Sequence, residues 1–244
     1  MQSELALPSS PALSVGTRDP GALAVVVCLW NRPGRVTDVL RNVASQHGAG
    51  PLHLVLWNNN PEHFGSARTQ VSAHGLSGAL QSIDLFESRS NLLGMGRFVA
   101  IRALVNSGYL RSIAITLDDD QDVPPDFAAT LAAEAGAQTV SGLWAFDIGE
   151  TYWSRTQLSD PGASANYVGT GGAAWPVALV EEDAFFTSIP LRFRMIEDLW
   201  ASFQARAKGW RLIRSATEAT FVMQEQDQGH ALHRHKTQFY RVLT

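Results

Sequence analysis

Three consecutive carboxylates are the strongest chemical signal in the sequence. Asp118, Asp119 and Asp120 directly follow the apolar segment 112–117, which is typical of a buried strand. Adjacent carboxylates at the end of such a strand repel one another, so keeping them ionised requires a compensating cation. Hard oxygen ligands favour Mg²⁺ or Mn²⁺, which commonly also bind substrate phosphates. The pattern therefore favours a metal site, and a solvated acidic turn with a helix cap is the structural alternative.

An acidic pair and a glycine-rich segment are the next two signals. Glu197 and Asp198 stand at the start of a predicted helix, where carboxylates complement the helix dipole. Residues 167–174 include Gly171 and Gly172, and glycines let a backbone approach a ligand closely. A ligand-contacting segment and a plain flexible loop both remain open for this stretch.

Histidines are concentrated near the C-terminal end. Residues 229–235 contain His230 and His233, and histidine is a common metal ligand. Either side chain is a candidate for completing a metal site. An exposed polar tail is the structural alternative.

The elements that must position these residues alternate between strands and helices. Hydrophobic patterning and turn residues predict strands at 22–30, 53–57, 83–86, 112–117, 141–148, 211–214 and 220–223. They predict helices at 35–46, 97–105, 125–134 and 197–208. This alternation predicts an α/β fold with a mostly parallel central sheet and helices on both faces.

Polar clusters follow three of the predicted buried strands. They comprise Asn31 and Arg32, the asparagines at 58–60, and the aspartates at 118–120. Ligands of such sheets bind beyond the carboxyl ends of the strands. We therefore expect all three clusters on one rim.

Length, composition and charge limit the kind of protein. A chain of 244 residues with 45% hydrophobic residues is long enough for one large core. Its net charge of −4 argues against a nucleic-acid partner, which requires a basic face. Cys28 is the single cysteine, so a disulfide framework within the chain is excluded and a reducing compartment is favoured.

No segment of the sequence approaches the ~20 apolar residues of a membrane span. Residues 1–21 are rich in proline, serine, alanine and glycine, and we predict a disordered tail there and a single domain over 22–244. We expect a cytoplasmic protein, with recruitment to the inner face of a membrane by a partner as an alternative. A homo-oligomer is compatible with the sequence.

The ordered set of motifs resembles GT-A fold glycosyltransferases. An apolar strand followed by Asp-x-Asp is similar to the metal-binding motif of that fold, and segment 25–32 is similar to its first strand. The general pattern is family 2-like, and the Trp-Asn-Asn and Asp-Asp-Asp spellings look like those of the exostosin-type branch. The resemblance covers roughly residues 24–214 and implies a Rossmann-like GT-A domain, with a nucleotide half at 22–120 and an acceptor half at 121–244.

The resemblance also implies residue roles. Asp118 and Asp120 would hold Mn²⁺ or Mg²⁺ with His230 as a third ligand, and Asp198, preferred to Glu197, would be the general base in an inverting enzyme. Residues implied to bind the donor are Leu29, Asn31, Arg32, Asn58, Asn59, Asn91, Arg97, Asp118, Asp119, Gly171, Gly172 and Arg234.

The function that follows is sugar transfer from a nucleoside-diphosphate donor to an acceptor hydroxyl. The usual aspartate after the second strand of this fold is replaced by asparagine here, so UDP-, GDP- and dTDP-sugars all stay open as donors. A glycan, a lipid-linked molecule and a small molecule stay open as acceptors, and the sequence does not choose between retention and inversion. The alternatives are a non-catalytic GT-A-like scaffold and a sugar-phosphate nucleotidyltransferase. A dinucleotide-binding oxidoreductase is disfavoured, because no Gly-x-Gly-x-x-Gly follows the first strand.

Overall fold

A computed structural model of the protein describes residues 10–109, 112–222 and 232–243. In chain order the strands are β1 (Leu13–Gly16), β2 (Leu23–Leu29), β3 (Leu52–Asn58), β4 (Leu80–Glu87), β5 (Ile113–Asp118), β6 (Gln121–Asp122), β7 (Thr139–Gly142), β8 (Ala145–Ile148), β9 (Arg155–Gln157), β10 (Ser164–Ala165), β11 (Tyr167–Val168), β12 (Ala173–Pro176), β13 (Arg211–Arg214) and β14 (Thr220–Phe221). The helices are α1 (Val36–Ala44), α2 (Phe64–His74), α3 (Met95–Asn106), α4 (Phe127–Glu134), α5 (Ala184–Thr187), α6 (Glu197–Ala207) and α7 (Leu232–Leu243).

A nine-stranded sheet with the order β1-β4-β3-β2-β5-β12-β7-β13-β10 forms the centre of the fold. Strands β4, β3, β2 and β5 are parallel to one another, as are β7 and β13. Antiparallel β1, β12 and β10 complete the sheet. The predicted α/β fold with a mostly parallel central sheet is confirmed.

Two hydrophobic cores lie on opposite faces of the sheet. Along β2, Val25 and Val27 belong to one core, whereas Ala24 and Val26 belong to the other, because successive strand side chains point to opposite faces. Helices α1, α2 and α4 cover the first face, and α3 and α6 cover the second. This burial on both sides explains why the central strands are continuously apolar.

The register of the parallel strands brings the predicted rim together. Cys28 of β2 lies opposite both Trp57 and Asp118, and Leu29 lies opposite Asn58. The polar residues that follow β2, β3 and β5 therefore leave the sheet at one edge. This part of the prediction is confirmed, because parallel strands of similar length end at the same side.

A small antiparallel pairing follows the acidic cluster directly. Strand β6, immediately after Asp120, pairs with β14, and the backbone N–H of Val222 donates to the carbonyl of Asp120 at 3.0 Å. A separate three-stranded sheet has the order β11-β8-β9. The part of the chain after residue 120 thus contributes strands to the surroundings of the acidic cluster.

Two predicted boundaries are wrong. The tail predicted at 1–21 contains β1, which pairs antiparallel with β4, because Leu13 and Val15 alternate with polar neighbours and pack on the core. The strand predicted at 141–148 is two strands in different sheets, β7 and β8. The chain turns between them at Leu143 and Trp144, whose backbones bond to the glycine-rich segment.

The C-terminal residues also differ from the tail considered as an alternative. Residues 232–243 form α7, and Phe239 is fully buried. Its ring stacks on Phe193 with centroids 4.4 Å apart. Within the described part of the chain, no helix is long and apolar enough to cross a membrane.

Candidate functional site

Arginines balance the three carboxylates at the end of β5. Arg97 Nη1 lies 2.9 Å from Asp118 Oδ1. Arg32 bridges the other two, with Nη1 2.7 Å from Asp119 Oδ1 and Nη2 3.1 Å from Asp120 Oδ2. The compensating charge that the sequence demands is therefore supplied in part by two side chains of the protein itself.

Burial nevertheless disfavours the ionised form of two carboxyls in the acidic cluster. Burial raises the pKa of Asp119 to about 6, against the opposing effect of Arg32 and with the repulsion of its two neighbours. Burial, together with Asp118, also raises the pKa of Asp120. Asp120 Oδ1 is buried and has no hydrogen-bond partner. A carboxylate oxygen without a partner, beside two other carboxylates, is a suitable ligand for a hard divalent cation. The residues present are therefore compatible with the predicted metal.

A metal site is not complete among the described residues, where no group of three histidine, cysteine or acidic side chains could hold an ion. The predicted third ligand, His230, lies outside the described residues. The side chain of Arg234, predicted to contact the diphosphate, is also outside them.

Arg97 is the centre of a buried polar network behind the cluster. Its guanidinium donates to the carbonyl of Thr170 at 3.1 Å and lies 3.5 Å from Glu197 Oε1. The Thr170 hydroxyl donates to the same Glu197 oxygen at 3.1 Å. Burial, opposed by Arg97 and reinforced by Asp198, raises the pKa of Glu197 to about 7. Glu197 therefore positions Arg97 from a location that is only 6% exposed.

Glycines leave the space that the carboxylates of this network occupy. A Cβ on Gly94 would lie 1.9 Å from Glu197 Oε1, and one on Gly171 would lie 2.3 Å from Asp118 Oδ2. Gly172 has φ of 109°, a conformation that a side chain would strain. The glycine-rich segment therefore borders the carboxylates directly, as a ligand-contacting segment would.

Asp198 lies next to Glu197 but faces a different environment. The hydroxyl of Tyr167 donates to Asp198 Oδ2, and the backbone N–H of Leu199 donates to Oδ1 at 2.7 Å. Burial and the charge of Asp198 raise the pKa of Tyr167 well above its usual range, so the phenol stays protonated. Lys236 of α7 adds a positive charge. Against the opposing effect of burial, its pKa is raised by the negative charge of Asp198.

The asparagines after β3 have different roles. Asn59 accepts hydrogen bonds from Trp57 Nε1 and the Leu92 N–H and donates to the Leu93 carbonyl. These bonds tie the segment before α3 to β3. Asn58 Oδ1 accepts from the Asn60 N–H at 3.0 Å, whereas its amide nitrogen is buried without a hydrogen-bond partner.

A narrow cleft borders Asn58 at the end of β2 and β3. Its lining residues are Leu29, Trp30, Arg32, Pro33, Val36, Asn58, His63 and Ala67. Asn31 is exposed nearby and accepts a hydrogen bond from Asn60 Nδ2 at 3.3 Å. Asn91 is also exposed, and its side chain accepts from the Leu93 N–H.

Three contributors were not recognised as site residues from the sequence. Arg35 donates to the Asp119 carbonyl at 2.9 Å and pairs with Asp122. Tyr167 donates to Asp198, and Lys236 lies over the Tyr152 ring, 5.3 Å from its centroid. Tyr167 is the first residue of the glycine-rich segment 167–174, which was the available signal. No sequence signal distinguishes Arg35 or Lys236 from an exposed helix residue.

The α/β domain has a GT-A type fold, which comparison with solved structures shows. Solved structures with this fold include S. aureus TarS residues 1–349, a GT-A-type glycosyltransferase. Its complex with UDP-GlcNAc matches with a TM-score of 0.54 and 14% identity, over 86% of this chain and 61% of that chain. Its complex with UDP matches with a TM-score of 0.52 and 13% identity, over 79% and 57%.

These matches show the fold, because so low an identity does not carry residue roles. The chain spans about three-fifths of the length of the TarS chains that it matches. No protein-family model and no curated protein sequence matches it.

Proposed function

We propose that this chain is a glycosyltransferase that moves a sugar from a nucleoside-diphosphate-sugar donor to an acceptor hydroxyl. We propose UDP as the nucleotide of the donor. The observation that carries the proposal is the buried acidic end of β5, where Asp120 keeps an oxygen without a partner. The fold around it is shared with a protein solved in complex with UDP and with UDP-GlcNAc. Carboxylates held at this edge of the sheet suit a diphosphate bound through a cation.

The donor is proposed to occupy the rim between β2 and β5. The nucleobase would lie at the ends of β2 and β3 near Leu29, with the unpartnered amide nitrogen of Asn58 as a donor to a base carbonyl. Asp118 and Asp120 would hold Mn²⁺ or Mg²⁺, with His230 as the proposed third ligand. When bound, such an ion neutralises the charge that develops on a diphosphate leaving group.

Asp198 is the proposed general base. It is partly exposed, whereas Glu197 is buried against Arg97. The Tyr167 hydroxyl and the Leu199 N–H hold the carboxylate in one orientation. Such a group can accept the proton of an acceptor hydroxyl.

The first experiment is a calorimetric titration of UDP, GDP and dTDP, each with Mn²⁺ and with EDTA. Metal-dependent binding of UDP is expected for the wild type and should be lost in Asp120→Ala. Asp126→Ala removes an exposed carboxylate from the same segment and should bind as the wild type does. Unchanged UDP affinity in Asp120→Ala would remove the metal assignment.

A second variant separates binding from chemistry. Asp198→Asn keeps a hydrogen-bond acceptor for Tyr167 but cannot take a proton, so it should bind UDP normally and lose roughly 10²–10⁴-fold in donor turnover. Hydrolysis of UDP-GlcNAc is the readout when no acceptor is supplied. Folded wild-type protein that binds no nucleotide and hydrolyses no donor would instead favour the scaffold alternative.

A further inference from the structure

Two aromatic rings stack on each other at the surface beside the acidic cluster. The centroids of Trp144 and Phe221 are 5.1 Å apart, and the ring planes differ by 21°. Phe221 is 46% exposed. Leaving this much phenyl surface in water forgoes hydrophobic stabilisation. A stacked pair at the edge of a polar site therefore suggests a ligand with an apolar face.

The two rings reach this position on separate segments. Phe221 lies in β14 opposite Gln121, one residue after Asp120. The carbonyl of Trp144 accepts a hydrogen bond at 2.7 Å from the N–H of Gly169, two residues before Gly171. Both segments are thus joined by backbone hydrogen bonds to residues that border the carboxylates.

Trp144 follows a strand on the side of β5 opposite to the proposed donor site. The sheet order is β2-β5-β12-β7 in this region. Arg32 and the cleft follow β2, whereas Trp144 follows β7. Because the donor is proposed to occupy the β2 side, the stacked rings are placed for the other substrate.

The chemistry around the rings matches that of a sugar. A pyranose has a C–H face that packs on an aromatic ring and a rim of hydroxyls that bond to carboxylates and amides. Here Phe221 lies across from Gln121, the residue that follows the carboxylates of the cluster. A lipid chain would need a larger apolar surface than this pair of rings.

We propose that Trp144 and Phe221 form a stacking subsite for a sugar ring of the acceptor, so that the acceptor is itself a glycoside. This inference rests on the proposed glycosyltransferase function and deepens it by naming the acceptor class. Phe221 contributes the exposed ring, and Trp144 fixes the plane of that ring.

The test measures acceptor and donor binding in the same samples. Saturation-transfer NMR would follow methyl β-D-glucopyranoside and methyl N-acetyl-β-D-glucosaminide in the presence of Mg²⁺ and UDP, with UDP affinity measured by calorimetry. Phe221→Leu should weaken glycoside binding by about 2- to 10-fold, and Phe221→Tyr should preserve it. Leu191→Ala, which truncates another exposed apolar side chain, is the matched control and should change neither.

The outcomes separate the two proposals. UDP binding without any glycoside signal, or equal glycoside binding in Phe221→Leu and wild type, would overturn the subsite and leave the donor assignment intact. A fall in UDP affinity alone in Phe221→Leu would also overturn it, because the rings would then serve the donor. Absence of UDP binding would count against the glycosyltransferase proposal, while the glycoside comparison would still decide the role of Phe221.

Discussion

At the scale of single residues, the site is organised by arginines that come from distant parts of the chain. Arg32 is 87 residues before Asp119, and Arg97 is 21 residues before Asp118. Both guanidinium groups are largely buried against carboxylates. Breaking such a buried pair leaves a charge without compensation, which costs more than the loss of an exposed ion pair.

Asn58 and Asn59 are neighbours that should respond differently to truncation. Asn59→Ala would leave Trp57 Nε1 and the Leu92 N–H without their acceptor, so we expect about 2 kcal/mol or more of lost stability. Asn58→Ala removes the amide nitrogen proposed to bind the base, so UDP affinity should fall about 10-fold. Urea unfolding and UDP titration of both variants make the comparison. Equal effects of the two on UDP affinity would contradict the division of roles.

Glu197 makes a pH-dependent contribution to stability with a defined sign. Its pKa is raised from 4.5 to about 7 in the folded protein, so between these pH values the native state holds a proton that the unfolded chain has lost. The contribution of Glu197 to the free energy of unfolding therefore decreases as pH rises through this window. Glu197→Gln lacks this titration, and its stability relative to the wild type should increase from pH 4.5 to 7 and then level off.

Urea unfolding at pH 5, 6, 7 and 8 measures this difference. Glu150→Gln alters an exposed carboxyl and should show a difference from the wild type that does not change with pH. A relative stability of Glu197→Gln that falls with rising pH would mean that Glu197 is ionised and stabilised by Arg97 instead.

At the scale of elements, α7 is held to the domain by one buried face. Phe239 is fully buried between Phe193 and Trp200, and Trp153 Nε1 donates to the Thr237 hydroxyl at 2.9 Å. The helix also carries Lys236, whose pKa, against the opposing effect of burial, is raised by the negative charge of Asp198. Docking of α7 therefore connects the C-terminal part of the chain to the proposed base.

Truncation of Phe239 tests this docking. Phe239→Ala should destabilise the protein by about 3–5 kcal/mol, because it empties a packed aromatic site. Val242→Ala changes a residue of the same helix that is 59% exposed and should stay within about 0.5 kcal/mol. Similar small effects of both substitutions, measured by thermal or urea unfolding, would show that α7 is not docked in this way.

At the scale of the whole molecule, the two halves share one sheet. Strand β5, in the half of the chain up to residue 120, pairs with β2 on one side and on the other with β12 of the half that follows. Neither half can lose its fold without exposing the apolar faces of the other. The single domain predicted over 22–244 implies one cooperative unit.

Cooperativity can be measured directly. Unfolding in guanidinium chloride should give the same midpoint by tryptophan fluorescence and by far-UV circular dichroism. Hydrogen exchange in β3 and in β13 should report the same opening free energy within about 1 kcal/mol. Two separated transitions, or much weaker protection of β13, would show that the halves unfold independently.

The sequence by itself determined the central architecture and the location of the acidic cluster. A mostly apolar run such as 112–117 is typical of a strand buried on both faces, and strands alternating with helices indicate a parallel sheet with helices on either side. Residues that follow the carboxyl end of such a strand lie at the rim of the sheet, so the sequence was sufficient to place Asp118–Asp120 there. The helical spacing of Val36, Val39, Leu40 and Val43 likewise identified α1.

Only the tertiary structure decided which polar residues meet. Most of these contacts join residues that are far apart in the chain, and no local pattern marks the residues involved. They are the pairing of Arg32 with two aspartates, the hydrogen bonds of Asn59, the pairing of β1, the docking of α7 and the stacking of Trp144 on Phe221. A pattern reports the periodicity of one segment, whereas these contacts depend on how several segments pack. For that reason the sequence predicted which residues lie at the rim of the sheet, but not which of them contact one another.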